Sequence, residues 1–357
     1  MSVVMTNNPE LPRPQPSVLT VSAPAEVLSV VPFLLGFRPD TSLVLVVCRD
    51  REVVVAARVD LDPACSVDGY AAQFERIAIR NDADSVILVC YESDHEVAVE
   101  YLDGLLAILD GLTIVDALIS SELDIGTDAD GERVTEHRWW SRLCADPDCC
   151  PPGGTTYDPD SSAIAAEAVV RGIPLLRSRA ELARSVAGPA PERHDDLEAL
   201  FGEMTAELMG TEPGDRVRLM RDFLDGFLPE PRFLEPGECA LLAALVVDIR
   251  VRDEAWCAMS RASAAVHVDL WTQVVRHTIG PFEMAPLCLL GAAGWLAGNG
   301  ALQVVCIQRA EQIDPNYSML GLLNRINEAG TPPRLWDEMS LSGSGATGGF
   351  DTEAEAG

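Results

Sequence analysis

The first half of the chain alternates between apolar runs of strand length and amphipathic segments of helical length. Two β-rich runs, residues 42–48 and 52–61, flank a short polar turn and predict a β-hairpin. Beyond them the alternation is typical of βαβ units, which predicts a mixed sheet covered by helices on both faces. In chain order these elements are a helix over 68–80, a strand over 85–91, a helix over 95–110 and a strand over 112–119.

Helix-end signals bracket this region on both sides. A helix is predicted to begin at Pro24 and to end at Gly36. Proline suits the first turn of a helix, and glycine suits the left-handed conformation that often follows the last turn. Downstream, a helical pattern covers residues 161–171, and Ser178 and Glu181 stand at the spacing of a capping box. We therefore expect α/β structure to continue to about residue 186.

The second half of the chain carries apolar positions at helical spacing only. Leu197, Phe201 and Leu208 lie on one predicted stripe. Pro236 is suited to the first turn of a later helix, and Asp253 is predicted to cap another. This half therefore predicts an all-α array.

A predicted hairpin near the end of this array resembles a tetratricopeptide repeat. Gly291 and Ala310 are small residues in the positions where two antiparallel helices of that repeat approach, and Asp314-Pro315 occupies the next turn. Gln303 departs from the repeat pattern, which expects a small residue there. One repeat cannot bury its own apolar face, so the preceding helix pairs would supply its neighbours.

These patterns divide the chain into five segments. Both ends are poor in apolar residues and are predicted to be disordered tails. A Pro-containing polar stretch separates the two folded parts and is predicted to be a linker. The segments are a tail over 1–20, an α/β domain over 21–186, a linker over 187–196, a helical domain over 197–339 and a Gly/Ser-rich acidic tail over 340–357.

Charge then narrows the classes of partner. The chain has 26 basic and 56 acidic residues, a formal charge of −30, and every basic residue is Arg. A field of this sign repels nucleic acids and anionic membranes, so neither is predicted as a partner. The first residues do not resemble a secretory signal, and the longest apolar stretch, residues 285–298, is shorter than a membrane span. We therefore expect a cytoplasmic protein with reduced thiols.

The segment WWSRLCADPDCCPPGG, residues 139–154, holds three of the ten cysteines. Cys144, Cys149 and Cys150 can be zinc ligands if His137, or a ligand from elsewhere in the chain, completes a four-ligand shell. A disulfide from Cys144 to Cys149 is a second interpretation. In the third, which we favour for a reducing compartment, the thiols pack beside the two tryptophans.

Polar side chains follow the predicted strands at their carboxyl ends, where open α/β sheets bind ligands. Glu92, Asp94 and His95 follow one strand, and Glu122 follows the next. Carboxylates grouped with a histidine can hold a divalent cation or perform acid–base catalysis. Alternatively, Ser93 or Asp94 caps the helix that begins near His95.

The segment GFRPDTS, residues 36–42, is a further candidate. Arg38 can receive an anion, and Ser42 places a hydroxyl at the entry of a strand. The same pattern also describes a helix end followed by a turn.

Three segments together resemble a bacterial family, domain of unknown function 4192, which is typical of high-GC Gram-positive bacteria. They are VLSVVPFLLGFRPDTSLVLV, then WWSRLCADPDCCPPGG leading to RGIPLLRSRAEL, and finally GWLAGNGALQVVCIQRAEQIDPNYSMLGLL. The likeness spans roughly residues 18–339. It implies a two-part cytoplasmic protein and carries over no activity.

No complete catalytic motif occurs, since the chain lacks a G-x-S-x-G elbow, a P-loop and an H-E-x-x-H pair. We therefore expect an interaction or regulatory protein that binds a protein or peptide through its helical domain, with Trp295 and Tyr317 as contacts and no cofactor. A metal-dependent enzyme with its site at the strand ends is the alternative, and a zinc or thiol switch at the cysteine segment is the third. The sequence leaves open whether the protein is an enzyme.

Overall fold

The computed structural model describes residues 2–4, 18–20, 23–127, 133–170 and 175–337. Eight strands in this part of the chain form one mixed sheet in the order β2-β1-β4-β3-β5-β6-β7-β8. The strands are β1 Ser2–Val4, β2 Val18–Thr20, β3 Ser42–Arg49, β4 Glu52–Asp60, β5 Ser85–Tyr91, β6 Ile114–Thr127, β7 Arg133–Ser141 and β8 Thr155–Thr156.

Strand directions bring the carboxyl ends of β4 and β5 to one edge of the sheet, beside the middle of β6. Strand β3 pairs antiparallel with both β4 and β5, so β4 and β5 run in the same direction. Strand β6 is parallel to β5, and α3, which joins them, makes the crossover that parallel strands require. Asp60, Tyr91 and the centre of β6 therefore lie near the same edge.

The described residues also form thirteen α-helices. Those up to α5 alternate with strands or lie close to the sheet, and those from α6 onward form a continuous helical region. The helices are α1 Pro24–Leu35, α2 Val67–Arg80, α3 His95–Ile108, α4 Ala163–Val170, α5 Arg179–Ser185, α6 His194–Met209, α7 Pro213–Phe227, α8 Pro236–Leu245, α9 Ile249–Cys257, α10 Ala264–Val275, α11 Met284–Leu296, α12 Gly300–Ile313 and α13 Ser318–Glu328.

Each face of the sheet has its own core, as the predicted mixed sheet with helices on both faces requires. Leu43 and Leu45 of β3 pack with α2 and α3 in one cluster. Val44 and Val46, which point the opposite way, pack in a second cluster with α1 and the helical region. Because this second cluster runs without a break from the sheet into the helices, the two predicted domains share one core.

Several helix ends lie where the sequence predicts them. Helix α1 ends at Gly36 with φ 78°, a left-handed conformation that favours glycine. The Ser178 hydroxyl accepts a hydrogen bond from the Glu181 backbone N–H and so caps α5. The predicted cap at Asp253 is wrong, because Asp253 lies inside α9 and Asp248 is the cap.

Other elements differ from the sequence prediction. Strand β6 continues to Thr127 and pairs with β7, which the sequence pattern does not reveal. The predicted linker over 187–196 contains a short 3-10 helix and the start of α6. Strands β1 and β2 belong to the predicted N-terminal tail, while its other residues and the tail over 340–357 lie outside the described residues.

Helices α11 and α12 form the predicted tight hairpin. A Cβ placed on Gly291 would lie 3.2 Å from the Cβ of Cys306, so a side chain at this position would force Cys306 to shift by a few tenths of an ångström. All thirteen residues of α11 are buried. The likeness of the hairpin to a tetratricopeptide repeat stays a prediction. No helix in the described part of the chain has the length and apolar character needed to cross a membrane.

Candidate functional site

A cleft of about 400 Å³ opens at the edge of the sheet where β5 ends. It brings together the GFRPDTS segment, the residues after β5, the middle of β6 and the strand β7. Its walls consist of Leu28, Pro32, Arg38, Pro39, Asp40, Thr41, Tyr91, Glu92, Ser93, Ser120, Glu122, His137, Tyr157, Pro159 and Arg177. This volume lies in the range of small-molecule sites.

A row of polar side chains crosses the sheet beside the cleft. Backbone pairing aligns Ser42 with Tyr91, Tyr91 with Ser120, and Ser120 with Trp139. The Ser42 hydroxyl, the Tyr91 hydroxyl and the Trp139 indole N–H are buried, and none has a hydrogen-bond partner among the described residues. Buried polar groups in proteins are nearly always hydrogen-bonded, so these three groups are candidates for a hydrogen bond to water or a ligand.

Two tyrosines in the cleft can donate hydrogen bonds, whereas its ionised carboxylates can only accept them. The hydroxyls of Tyr157 and Ser120 lie 2.7 Å apart. Burial raises the pKa of Tyr157 and raises that of Tyr91 well above its ordinary value. Both phenols therefore stay protonated and can donate hydrogen bonds.

Two arginines reach the cleft through a short backbone bridge. The Arg38 backbone N–H donates to the Leu176 carbonyl at 3.0 Å, and the Leu176 N–H donates to the Gly36 carbonyl at 3.1 Å. This pairing places Arg177 next to Arg38. The Arg38 guanidinium forms an ion pair with Asp160. Arg177 has no ion-pair partner within the described ranges.

The acidic residues of the cleft differ in how far their charge is balanced. Asp40 lies 3.9 Å from the guanidinium of Arg58, which is 8% exposed. Glu92 accepts hydrogen bonds from its own loop, at 3.2 Å from the Ser93 hydroxyl and 3.1 Å from the Asp94 N–H. Glu122 stands opposite His137 in the β6–β7 pairing. Glu92 and Glu122 therefore bring uncompensated negative charge to the rim.

Of the three residues predicted after β5, only Glu92 faces the cleft. Asp94 caps α3, with its carboxylate accepting from the N–H groups of Glu96 and Val97. The ring of His95 lies against Trp140, 4.4 Å between centroids, and burial lowers its pKa. Across the described residues, the strand ends bring no three His, Cys or carboxylate groups within metal-binding reach of one another.

The three cysteines of the 139–154 segment do meet. The Sγ atoms of Cys144, Cys149 and Cys150 all lie within 4.8 Å of one another. Cys149 is exposed, while the other two are half-buried, and all ten cysteines of the chain are free thiols. Burial, then the neighbouring thiols, raises the pKa of Cys150 to about 12, and the Asp146 backbone lowers that of Cys144. His137, the predicted fourth ligand, does not belong to this cluster and lies in the cleft instead.

The two residues predicted to contact a partner make internal contacts. Trp295 is 5% exposed and donates its indole N–H to the Thr331 carbonyl at 2.7 Å. Tyr317 is half-buried, and its hydroxyl accepts from Arg252 at 3.2 Å. Their role in binding a partner stays a prediction, and these contacts do not support it.

The sequence does not reveal Tyr157 and Arg177 as residues of the cleft. Tyr157 follows the two-residue strand β8, whose pairing with β7 places it beside His137, with 5.8 Å between the rings. The only sequence signals are that Arg177 follows an apolar segment and that Tyr157 follows the Pro-Pro-Gly-Gly turn, and neither signal is specific.

Searches of curated proteins and of solved structures find no match to this chain. The profile of the family described as Domain of unknown function (DUF4192) matches residues 24–334, which include the cleft, the cysteine segment and the helical region. The match confirms the resemblance seen in the three sequence segments. Because it covers most of the 357 residues, the chain belongs to the DUF4192 family.

Proposed function

We propose that this protein binds a small monoanion with hydrogen-bond donors, such as a hydroxy or amino carboxylic acid, in the cleft at the end of β5. The observation that carries the proposal is the Tyr91 hydroxyl. Tyr91 belongs to a wall of the cleft and is only 7% exposed, and its buried hydroxyl has no partner in the described part of the chain. A ligand that accepts this hydrogen bond removes the cost of leaving a buried donor unpaired.

The charges of the cleft support this ligand class. Arg177 is available for one anionic group, because it makes no ion pair within the described residues. Glu92 and Glu122 lie on the same rim and repel a second negative group. They also accept hydrogen bonds from hydroxyl or ammonium groups. The balance therefore favours a monoanion over a polyphosphate.

The position of the cleft gives independent support. Ligands of open α/β sheets bind beyond the carboxyl ends of parallel strands, and the cleft lies beyond the carboxyl end of β5, beside the middle of its parallel neighbour β6. The residues that meet there come from the segments around positions 38, 91, 121, 137, 157 and 177. The separation of these segments along the chain means that the fold itself assembles the cleft.

Thermal unfolding with a panel of ligands tests the proposal. The panel contains amino acids, hydroxy acids, neutral sugars and nucleotides. We expect one of the monoanions to raise the unfolding temperature, since a ligand at one hundred times its Kd stabilises a protein by about 2.7 kcal/mol. Arg177→Ala should abolish this shift, whereas Arg218→Ala, at an exposed position of α7, should leave it unchanged.

Tyr91→Phe separates ligand binding from folding. Removing an unpaired buried hydroxyl costs the unliganded protein no hydrogen bond, so this variant should be at least as stable as the wild type while its ligand-induced shift falls. Tyr101→Phe, in α3 on the other face of the sheet, is the matched control. The proposal is contradicted if no ligand of the panel raises the unfolding temperature of the wild type. It is also contradicted if the ligand-induced shift is equal in wild type, Arg177→Ala and Tyr91→Phe. A shift confined to nucleotides contradicts the ligand class.

A further inference from the structure

The cysteine segment brings three thiols together in the loop that follows β7. We propose that Cys144, Cys149 and Cys150 together bind one thiophilic d10 metal ion, with Zn²⁺ as the reference ion, and leave its fourth coordination position open to solvent. We refer to these three residues as the thiol cluster.

The sulfur positions already suit a shared ion. The Sγ atoms of Cys149 and Cys150 are 3.9 Å apart, and all three Sγ atoms lie within 4.8 Å of one another. With zinc–sulfur bonds of about 2.3 Å, the sulfurs of a tetrahedral shell lie about 3.8 Å apart. Shifts of less than about 1 Å therefore bring the three thiols into ligand positions around one ion.

The loop that carries the thiols is fixed by contacts that do not involve sulfur. The Ser141 hydroxyl accepts from the Cys144 N–H at 3.0 Å, and the Asp146 carbonyl accepts from the N–H groups of Cys149 and Cys150 at 3.2 and 2.8 Å. The Asp146 carboxylate also accepts from the Asp148 N–H at 3.0 Å. The turn is therefore ordered before any ion binds, which reduces the entropy lost on binding.

The far end of the loop is attached to β7. The Trp140 indole N–H donates to the Pro152 carbonyl at 3.2 Å, and Arg138 donates to the Gly153 carbonyl at 2.9 Å. Gly154, with φ 76°, lies so close to Trp140 that a Cβ there would be 2.4 Å from the indole ring. The strand and the glycine thus hold the loop that contains Cys149 and Cys150 in one position.

The number of ligands defines the class of site. Structural zinc sites have four protein ligands, whereas catalytic zinc sites have three and keep a position for water or substrate. Among the described residues no further His, Cys, Asp or Glu joins the thiol cluster. Binding of one Zn²⁺ displaces up to three thiol protons to solvent, and no oxidant or reductant takes part.

Metal titration of the reduced, full-length protein tests the proposal. After treatment with chelator and reductant, the chain is titrated with Zn²⁺ against a chromophoric chelator. Co²⁺ then serves as a spectroscopic probe, because thiolate ligation gives a charge-transfer band that carboxylate ligation does not. We expect one ion per chain, and a loss of affinity of about 100-fold or more in Cys149→Ser, which removes a direct ligand.

Controls make each outcome decisive. Cys149 is exposed, so Cys149→Ser should keep the far-ultraviolet circular dichroism of the wild type, and Cys149→His should recover part of the affinity. Cys65→Ser, at an exposed cysteine outside the cluster, and His137→Ala should bind like the wild type. No stoichiometric ion bound by the reduced chain, or an ion that survives Cys149→Ser, would overturn the proposal.

Discussion

His267 makes the stability of the helical region depend on pH. The residue lies in α10 with no exposed surface, and burial lowers its pKa to about 4 from an ordinary value of 6.5. The unfolded chain takes up a proton as the pH falls through 6.5, while the folded chain does not until near pH 4. Stability is therefore lost progressively as the pH falls from 6.5 towards 4, and the loss is complete below that value.

The size of the effect follows from these two pKa values. One pKa unit corresponds to 1.36 kcal/mol, so the full shift amounts to about 3 kcal/mol, and about 2 kcal/mol of it is lost by pH 5. Urea unfolding at pH 7.5 and pH 5, followed by tryptophan fluorescence, measures the loss. In His267→Leu, which cannot be protonated, the decrease in unfolding free energy between the two pH values should be smaller by about 2 kcal/mol.

A second histidine provides the control. His277 is half-buried just beyond the end of α10, where its Nδ1 atom lies 2.9 Å from the Gln273 carbonyl. His277→Gln should keep the pH-dependent loss that we assign to His267. If the wild type and His267→Leu lose the same free energy between pH 7.5 and pH 5, the assignment of this loss to the buried ring is refuted.

Two glycine substitutions test the geometry of the α11–α12 hairpin and of the loop over residues 142–154. This loop carries the thiol cluster, and we refer to it as the thiol loop. Gly154→Ala should lower the unfolding temperature, because the left-handed backbone alone costs about 1–2 kcal/mol and the new Cβ meets Trp140. Gly153→Ala, whose Cβ would lie 3.8 Å from Arg138, should unfold near the wild-type temperature. Gly291→Leu should lower the urea midpoint by an amount equivalent to about 1–3 kcal/mol, because its side chain would displace Cys306, and an unchanged midpoint would contradict the close approach of α11 and α12.

Local sequence signals predict the elements that are defined by neighbouring residues. The β3–β4 hairpin, the helix ended by Gly36 and the helix capped by Ser178 each depend on a few adjacent positions. Asp253 shows the limit of such signals. An aspartate before apolar residues looks like a cap, but Ile249 and Val251 already begin the helix, so the cap moves to Asp248.

Pairing between distant strands explains what the sequence does not predict. The carboxyl-end rule anticipates Glu92 and Glu122 in one place because β5 and β6 are recognisable strands. It cannot anticipate Tyr157 or Arg177, whose positions depend on the two-residue strand β8 and on the bridge between Phe37 and Leu176. The polar residues near the end of β6 also conceal the continuation of that strand, and with it the presence of β7.

Strand β7 explains why two tryptophans stand together in this sequence. Successive side chains of a strand point to opposite faces, so His137 and Trp139 share one face, and Arg138 and Trp140 share the other. On the first face, His137 lines the cleft and Trp139 enters the core that joins the sheet to the helical region. On the second, Arg138 and Trp140 hold the carbonyls of the thiol loop. One strand therefore supports two sites with separate side chains. Tyr91→Phe should leave the metal affinity of the thiol cluster unchanged, and Cys149→Ser should leave ligand binding in the cleft unchanged.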